Sequence, residues 1–220
     1  MTIVNHAGDV PPLDQTTRAR LEALDTTLIS DVMGGHGTMA AAIGPVKAGT
    51  RMVGPARTAF SPGAVEAAIH AIAACQSGEV VVIAGGGTAH ASLGGIMALD
   101  AERHGADGCV IDGAIRDTAE IRDSGFPIFA RASTPHGAGV DPHGAINGPV
   151  AAAGTRIHPG DVLVGDDDGV VVIPRADLDQ VIAAAEAKGE KEAAWVAALK
   201  AGQNLAEIHG FAAPVAANQD

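Results

Sequence analysis

Apolar positions along the chain switch repeatedly between a helical and an extended period, and the switches mark out the elements. The first dozen residues, ending in Pro11 and Pro12, follow neither period and read as a flexible arm over 1–15. From Thr16, the residues Leu21, Leu24, Leu28, Ile29 and Val32 fall on one side of a helix that Gly34 and Gly35 stop. RMVGPARTAF predicts a strand region interrupted at Gly54 and Pro55, and GAVEAAIHAIAACQSG a helix ending at Gly78. EVVVIAGGG predicts a buried strand entering a glycine loop, followed by a helix in HASLGGIMALDAERHG despite its internal glycines. GCVIDGAIRD repeats the strand and glycine loop, Thr118 to Asp123 start a short helix, and FPIFARAS is the next strand. After a loop rich in Pro, Gly and His, DVLVGDDDGVVVIP predicts a hairpin around an Asp-Asp-Asp-Gly turn. Ala176 to Leu205 predicts a long Ala/Glu/Lys helix whose pattern favours partial exposure or packing on another subunit.

Strands interleaved with helices give an α/β fold, and the late hairpin makes its sheet mixed. The 220 residues suit one domain over 16–175 with a C-terminal helical extension over 176–220. A dinucleotide-binding domain is excluded, because GGGTAH lacks the GxGxxG spacing and no acidic residue ends a following strand to hold a ribose.

Composition narrows the partners. The apolar excess lies in Ala and Val, with one Trp, no Tyr and four Phe, so few aromatic faces exist for stacking bases. A formal charge of −12, spread along the chain, argues against nucleic acid and requires any anion site to carry a local cation or a metal. Cys75 and Cys109 sit in apolar surroundings without a CxxC partner and read as buried thiols. No leader-like N-terminus and no apolar run long enough to span a membrane is present, so a cytoplasmic location is expected.

Two loops, GGGTAHASLGG and DGAIRD, follow two buried strands, and α/β folds bind ligands at the carboxyl ends of strands. Backbone N–H groups around Ser92 and Leu93, at a helix start, can hold a carboxylate or an enolate oxygen. Arg116 can add a permanently charged clamp, and Asp117 can ligate a hard metal. The same two residues can also form a plain surface ion pair at a helix start, where Asp is a favoured cap. His136, Asp141 and His143 match no zinc spacing, and His90 lies near the proposed site as a polar contact. Asp166, Asp167, Asp168 and Gly169 lack the alternating ligands of a calcium loop and suit a turn better.

The blocks GPARTA, GEVVVIAGGG, ASLGGIMALDAERHGADGCVIDGAIRD, FPIFARASTP, INGPV, HPGDVLVGDDDGVVVIP and AGQNLAEIHG together resemble the RraA-like family, over roughly Leu28 to Gly210. That family includes the 4-hydroxy-4-methyl-2-oxoglutarate and 4-carboxy-4-hydroxy-2-oxoadipate aldolases. Its signature is matched by Gly95, twenty intervening residues, Arg116, Asp117, two residues and Glu120. The resemblance implies a β/β/α sandwich of the phosphohistidine-swivelling type, assembled as a homotrimer or a dimer of trimers. It implies that Arg116 binds a small 2-oxo acid, that Asp117 ligates Mg²⁺ or Mn²⁺, and that the stretch Ser92, Leu93, Gly94 and Gly95 faces the substrate. Glu192, reaching a neighbouring subunit, would orient water at the metal. The efficient aldolases carry Asp where this chain has Gly95, and the second acid sometimes found after Glu120 is here Ile121. The implied reactions are cleavage of 4-hydroxy-2-oxo acids and decarboxylation of oxaloacetate through pyruvate enolate. Some relatives instead mask ribonuclease E, which is the competing, non-catalytic class.

Overall fold

A computed structural model describes residues 2–6 and 10–212. The chain runs through β1 (Ile3–Asn5), α1 (Gln15–Glu22), α2 (Thr26–Val32), β2 (Gly44–Pro45), β3 (Met52–Phe60), α3 (Glu66–Ala73), β4 (Val80–Leu93), α4 (Gly95–Arg103), β5 (Gly108–Ile115), α5 (Thr118–Ser124), β6 (Ile128–Ser133), β7 (Gly144–Ile146), β8 (Val150–Ala152), β9 (Thr155–Ile157), β10 (Val162–Asp166), β11 (Gly169–Ile173), a 3-10 turn at Arg175–Asp177, α6 (Leu178–Lys200) and α7 (Leu205–His209). This is a mixed α/β fold, as expected.

The central sheet has the order β1-β7-β3-β4-β5-β6-β2, with β3 to β6 parallel. Successive residues of β4 point to opposite faces and both faces are buried: Val81 and Ile83 join one core cluster, Val80 and Val82 another. The first cluster is covered by α3, α4 and α5, whose inward residues are largely alanines such as Ala67, Ala71, Ala98 and Ala101. Small side chains there let helix and sheet backbones approach closely. The second cluster is covered by the β8–β9 hairpin and by β10 and β11, and the far side of those strands packs on α1, α2 and α6 through Leu21, Ile29, Val171 and Ile182. Helices, sheet, a second β layer and a second helical layer thus stack in that order.

Several local expectations change in the folded chain. Ile3–Asn5, inside the expected arm, pair in parallel with β7. The helix expected from Thr16 is two helices. Asp25 is extended and starts α2, and the Thr26 N–H and hydroxyl both donate to the Asp166 carboxylate in the β10–β11 turn. β3 runs unbroken through Gly54 and Pro55, because Pro55 falls where the strand changes partner: Met52 to Pro55 pair with β10, and Ala56 to Phe60 with β4. A proline without an N–H is tolerated at such a handover. The tail from Ala176 is split into α6 and α7, with Asn204 and Glu207 forming a reciprocal cap. The hairpin at Asp166 to Gly169 is present as expected. No helix among the described residues is long and apolar enough to cross a membrane.

Candidate active site

The carboxyl ends of β4, β5 and β6 lie in register, with Leu93 opposite Ile115 and Ile115 opposite Ser133. The residues that follow, Gly94–Gly95, Arg116–Asp117 and Thr134–Pro135, therefore come together at one edge. β4 does not end at its glycines. It continues through GGGTAH by register shifts against β5, so Ser92 and Leu93 are buried strand residues, and α4 starts only at Gly95. The expected helix start at Ser92–Leu93 thus moves to Gly95, because β4 resumes its pairing with β5 at Ala91 and Leu93 after the glycine run, in which Gly85 and Gly87 take positive φ of 87° and 59°.

The Arg116 N–H donates to the Leu93 carbonyl at 3.0 Å, fixing the two loops together. Asp117 then turns the chain with a left-handed backbone, φ 58° and ψ 37°. For a residue other than glycine this costs about 1–3 kcal/mol and persists where the surroundings impose it. Asp117 occupies the cap position of α5, yet its side chain makes no capping hydrogen bond. Instead Oδ2 accepts the Gly95 N–H at 3.0 Å and lies 3.6 Å from Arg116 Nε. The carboxylate thus serves the neighbouring loop rather than its own helix, which a simple cap would not do.

Both glycines of the α4 turn are there for close approach. A Cβ on Gly94 would lie 2.7 Å from Asp117 Oδ2 and 3.0 Å from Arg116 Nε. One on Gly95 would lie 2.4 Å from Glu120 Oε2, so the Glu120 carboxylate occupies the space a side chain would need. On the other side, the loop after β6 closes on the guanidinium: a Cβ on Gly137 would lie 2.6 Å from Arg116 Nη1. That loop is tied to β4 by Ala91 N–H to the His136 carbonyl (2.7 Å) and Ala138 N–H to the Ala91 carbonyl (3.1 Å). The His90 ring packs edge-on against His136 at 4.4 Å. Arg116, Asp117, Thr118, Ser133, Thr134 and Pro135 line an open cavity of about 370 Å³. Thr118 and the Ser133–Pro135 edge were not singled out from sequence, where nothing marks them beyond their place after a strand.

Other candidates fall elsewhere. Glu192 lies on α6, bonded to Lys188 Nζ at 2.8 Å, with Lys188 also 3.1 Å from Asp31. These two acids raise the Lys188 pKa, Glu192 most. Within one chain Glu192 is therefore engaged on the second helical layer and no contact joins it to Arg116 or Asp117. His136, Asp141 and His143 form no metal-holding cluster; among the described residues no group of three or more His, Cys, Asp or Glu does. Cys75 and Cys109 are buried, and burial pushes both thiols up, Cys75 to about 12.

Known proteins resemble this chain in sequence and in fold. The RraA-like family, described as Aldolase/RraA, matches residues 26–172. A protein from Halalkalibacterium halodurans that bears the provisional name 4-hydroxy-4-methyl-2-oxoglutarate aldolase is 36% identical over 171 residues, 77% of this chain and 81% of that one. Among solved structures, an uncharacterized protein from Pseudomonas syringae superposes with a TM-score of 0.81 at 29% identity, covering 94% of this chain and 99% of the other. Streptomyces coelicolor RraAS2, described as an unusual member of the RNase ES inhibitor RraA family, gives 0.73 at 29% identity over 83% of this chain and 96% of its own. With two thirds of its length matched, the chain belongs to the RraA-like family.

Proposed function

We propose that this protein is a divalent-metal-dependent lyase of the cytoplasm. It cleaves 4-hydroxy-2-oxo acids, such as 4-hydroxy-4-methyl-2-oxoglutarate, to pyruvate and a second oxo acid, and it decarboxylates oxaloacetate, both through the enolate of pyruvate. The observation that supports this best is the Asp117 side chain, turned away from its own helix and held by the Gly95 N–H beside Arg116 over an open cavity. In this reading the layered architecture is of the phosphohistidine-swivelling type.

The donor set suits a hard cation. Asp117 supplies a carboxylate with one oxygen committed to Gly95, and the Glu120 carboxylate lies against the same glycine. Mg²⁺ or Mn²⁺, which keep water and substrate in most of their coordination shell, fit one or two carboxylates; a closed site of soft ligands does not. When bound, the cation supplies Lewis-acid stabilisation of the 2-oxo oxygen. Arg116 clamps the 2-oxo acid and shares the charge that develops as the bond between C3 and C4 breaks. By family resemblance the Ser92–Gly94 stretch faces the substrate carboxylate, just ahead of the first turn of α4 at Gly95. The C4 hydroxyl proton passes to water oriented by Glu120 and by Glu192 of a neighbouring subunit, and protonation of the enolate at C3 gives pyruvate.

We also propose a homotrimer, or a dimer of trimers; apolar residues left uncovered beside this edge support burial against a neighbouring subunit, Ile96 being 82% and Leu99 54% exposed on α4. Phe211 and Leu205, at the end of the helical extension, are exposed as well. Light scattering showing a fully active monomer would reject the assembly, and unchanged activity of Glu192→Ala would remove that residue from the site. The function is tested by pyruvate release from oxaloacetate and several 4-hydroxy-2-oxo acids, with Mg²⁺ and after exhaustive chelation. Activity is expected only with the cation, since no lysine lines the cavity to form a Schiff base. Undiminished release after chelation overturns the reading. A masking role toward a ribonuclease is the second reading, favoured by the likeness to RraAS2 and the charge of −12. Inhibition of ribonuclease E by the wild type and equally by Asp117→Asn would support it.

A further inference from the structure

The active-site cavity does not end at β6. A second cavity of about 190 Å³ adjoins it, with Thr118 and Ser133 lining both, and prolongs the groove along α5 and β6. Its far part is lined by Val46, Arg122 and Arg131. The geometry is regular. Arg122 is one helical turn beyond Thr118 on α5, and Arg131 is two residues before Ser133 on the same face of β6. Both guanidinium-bearing positions therefore lie about 6 Å further along the groove than the shared residues. That distance is comparable to the reach of a five-carbon chain between its end groups.

The two arginines are held differently. Arg131 Nε donates to Asp112, whose other oxygen accepts the Ala153 N–H at 2.7 Å, so its charge is largely balanced. Arg122 Nε donates to the Val46 carbonyl at 3.0 Å, which fixes the side chain; among the described residues its terminal nitrogens make no hydrogen bond. Lys47 lies at the same end, with Nζ 3.6 Å from where a Cβ on Gly125 would be. Lys47, Arg116, Arg122 and Arg131 are four of the 14 basic residues of a chain with charge −12. The acids among these bases are Asp112, which is paired with Arg131, Asp117 and Glu120, which are assigned to the cation in the proposed function, and Asp123. With the cation in place, Arg122 and Lys47 are the charges left for an anionic ligand.

We propose that Arg122, braced by Val46 and with Lys47 near the end of the same helix, forms a subsite for the distal carboxylate of the substrate, so that this site selects 2-oxo acids whose second carboxylate stands three carbons beyond the 2-oxo carbon. The inference rests on the proposed function for the orientation of the substrate, with its 2-oxo acid end at Arg116. A bland alternative is that Arg122 only ties α5 to the Val46 segment.

Calorimetric binding of 2-oxoglutarate and of 2-oxopentanoate, in the same Mg²⁺ buffer, separates these possibilities, because the two ligands differ only in the distal carboxylate. Wild type is expected to bind 2-oxoglutarate about tenfold or more tightly, the scale of a charge-assisted hydrogen bond. In Arg122→Ala and in Arg122→Gln the ratio should fall toward one. The glutamine retains a donor for the Val46 carbonyl, so loss of the preference in a variant with unchanged Tm reports lost charge rather than lost structure. Equal affinities in wild type, failure to bind either ligand, or an intact preference in both variants would overturn the subsite. If the preference behaves as expected while no 4-hydroxy-2-oxo acid releases pyruvate, the lyase reading fails and the subsite stands.

Discussion

Arg57–Glu79 and Arg116–Asp117 are both arginine–carboxylate pairs of the central sheet, but only the second has bonding capacity left over. Arg57 and Glu79 are 4% and 3% exposed and meet by two parallel hydrogen bonds of 2.8 and 2.7 Å. Asn147 accepts a third bond from Arg57, and the Gln76 N–H donates to Glu79. Arg116 and Asp117 are 49% and 44% exposed, touch at 3.6 Å, and use a single carboxylate oxygen on Gly95. A saturated pair holds the fold; an unsaturated pair beside a cavity can hold a ligand. Counting ion pairs would have scored the two alike.

The sharpest break of this comparison is Glu79→Ala. It leaves a buried guanidinium without its partner, and about 3–5 kcal/mol of stability should be lost in urea unfolding. Replacing Arg57 and Glu79 together by apolar residues of similar volume should cost far less. Cys75 reports on the same place: burial first, and then the charge of Glu79, push its thiol from 9.0 up to about 12. A pKa raised on folding stabilises fully below the unfolded value, and this contribution is lost as pH rises from about 9 toward 12. Folded protein should therefore resist iodoacetamide at pH 8, with labelling appearing in Glu79→Ala. Loss of less than about 1 kcal/mol in that variant would show that the buried pair is no anchor.

Next in size is Arg116→Ala, expected to lower kcat/KM for pyruvate release by about 10²–10³, the usual cost of removing one donor to developing charge. Unfolding free energy should change by no more than about 1 kcal/mol, as for other exposed pairs. Asp117→Asn should abolish cation-dependent turnover with equally little effect on stability. A large stability loss with intact kinetics in either variant would move this pair into the same class as Arg57–Glu79.

The contrast also explains what was legible beforehand. Arg116 and Asp117 are adjacent in sequence and follow a strand, so pattern alone marked them, and the hairpin at Asp166 to Gly169 was equally local. Arg57 and Glu79 are 22 residues apart and meet only because β3 and β4 pair in parallel. The break between α1 and α2 was invisible for the same reason: Thr26 is capped by Asp166, 140 residues away. Pro55 looked like an interruption because periodicity cannot show that a strand changes partner there. The swing of the Asp117 side chain to Gly95 depends on a left-handed backbone, which no spacing rule records. Glu192 was singled out by family resemblance alone, and within one chain it pairs with Lys188.

The smallest expected effect refines the open pair rather than breaking it. At Gly95, where the efficient aldolases of the family carry Asp, retro-aldol cleavage lacks one acid to orient water near the C4 hydroxyl, whereas decarboxylation of oxaloacetate needs only a stabilised enolate. Wild type should therefore turn over bound oxaloacetate with the higher kcat, even where the distal subsite makes a five-carbon diacid bind more tightly, and Gly95→Asp should raise the aldol-to-decarboxylation ratio of kcat, by about tenfold if the acid is partly effective. The new side chain must displace the Glu120 carboxylate, since its Cβ would lie 2.4 Å from Oε2. That atom is the far end of a flexible chain, so rotation suffices. An acid in the first turn of α4 gains from the helix dipole but faces Glu120 and Asp117, so stability should shift by about 1 kcal/mol or less. Gly95→Ala separates the causes, because it also moves Glu120 but adds no carboxylate. An equal rise in the alanine variant would credit the movement of Glu120 instead of the new acid. A wild-type enzyme that already has the higher kcat on 4-hydroxy-4-methyl-2-oxoglutarate would mean that the base is present without Asp at 95, and Glu120, packed where that side chain would stand, is then the first residue to replace by Gln.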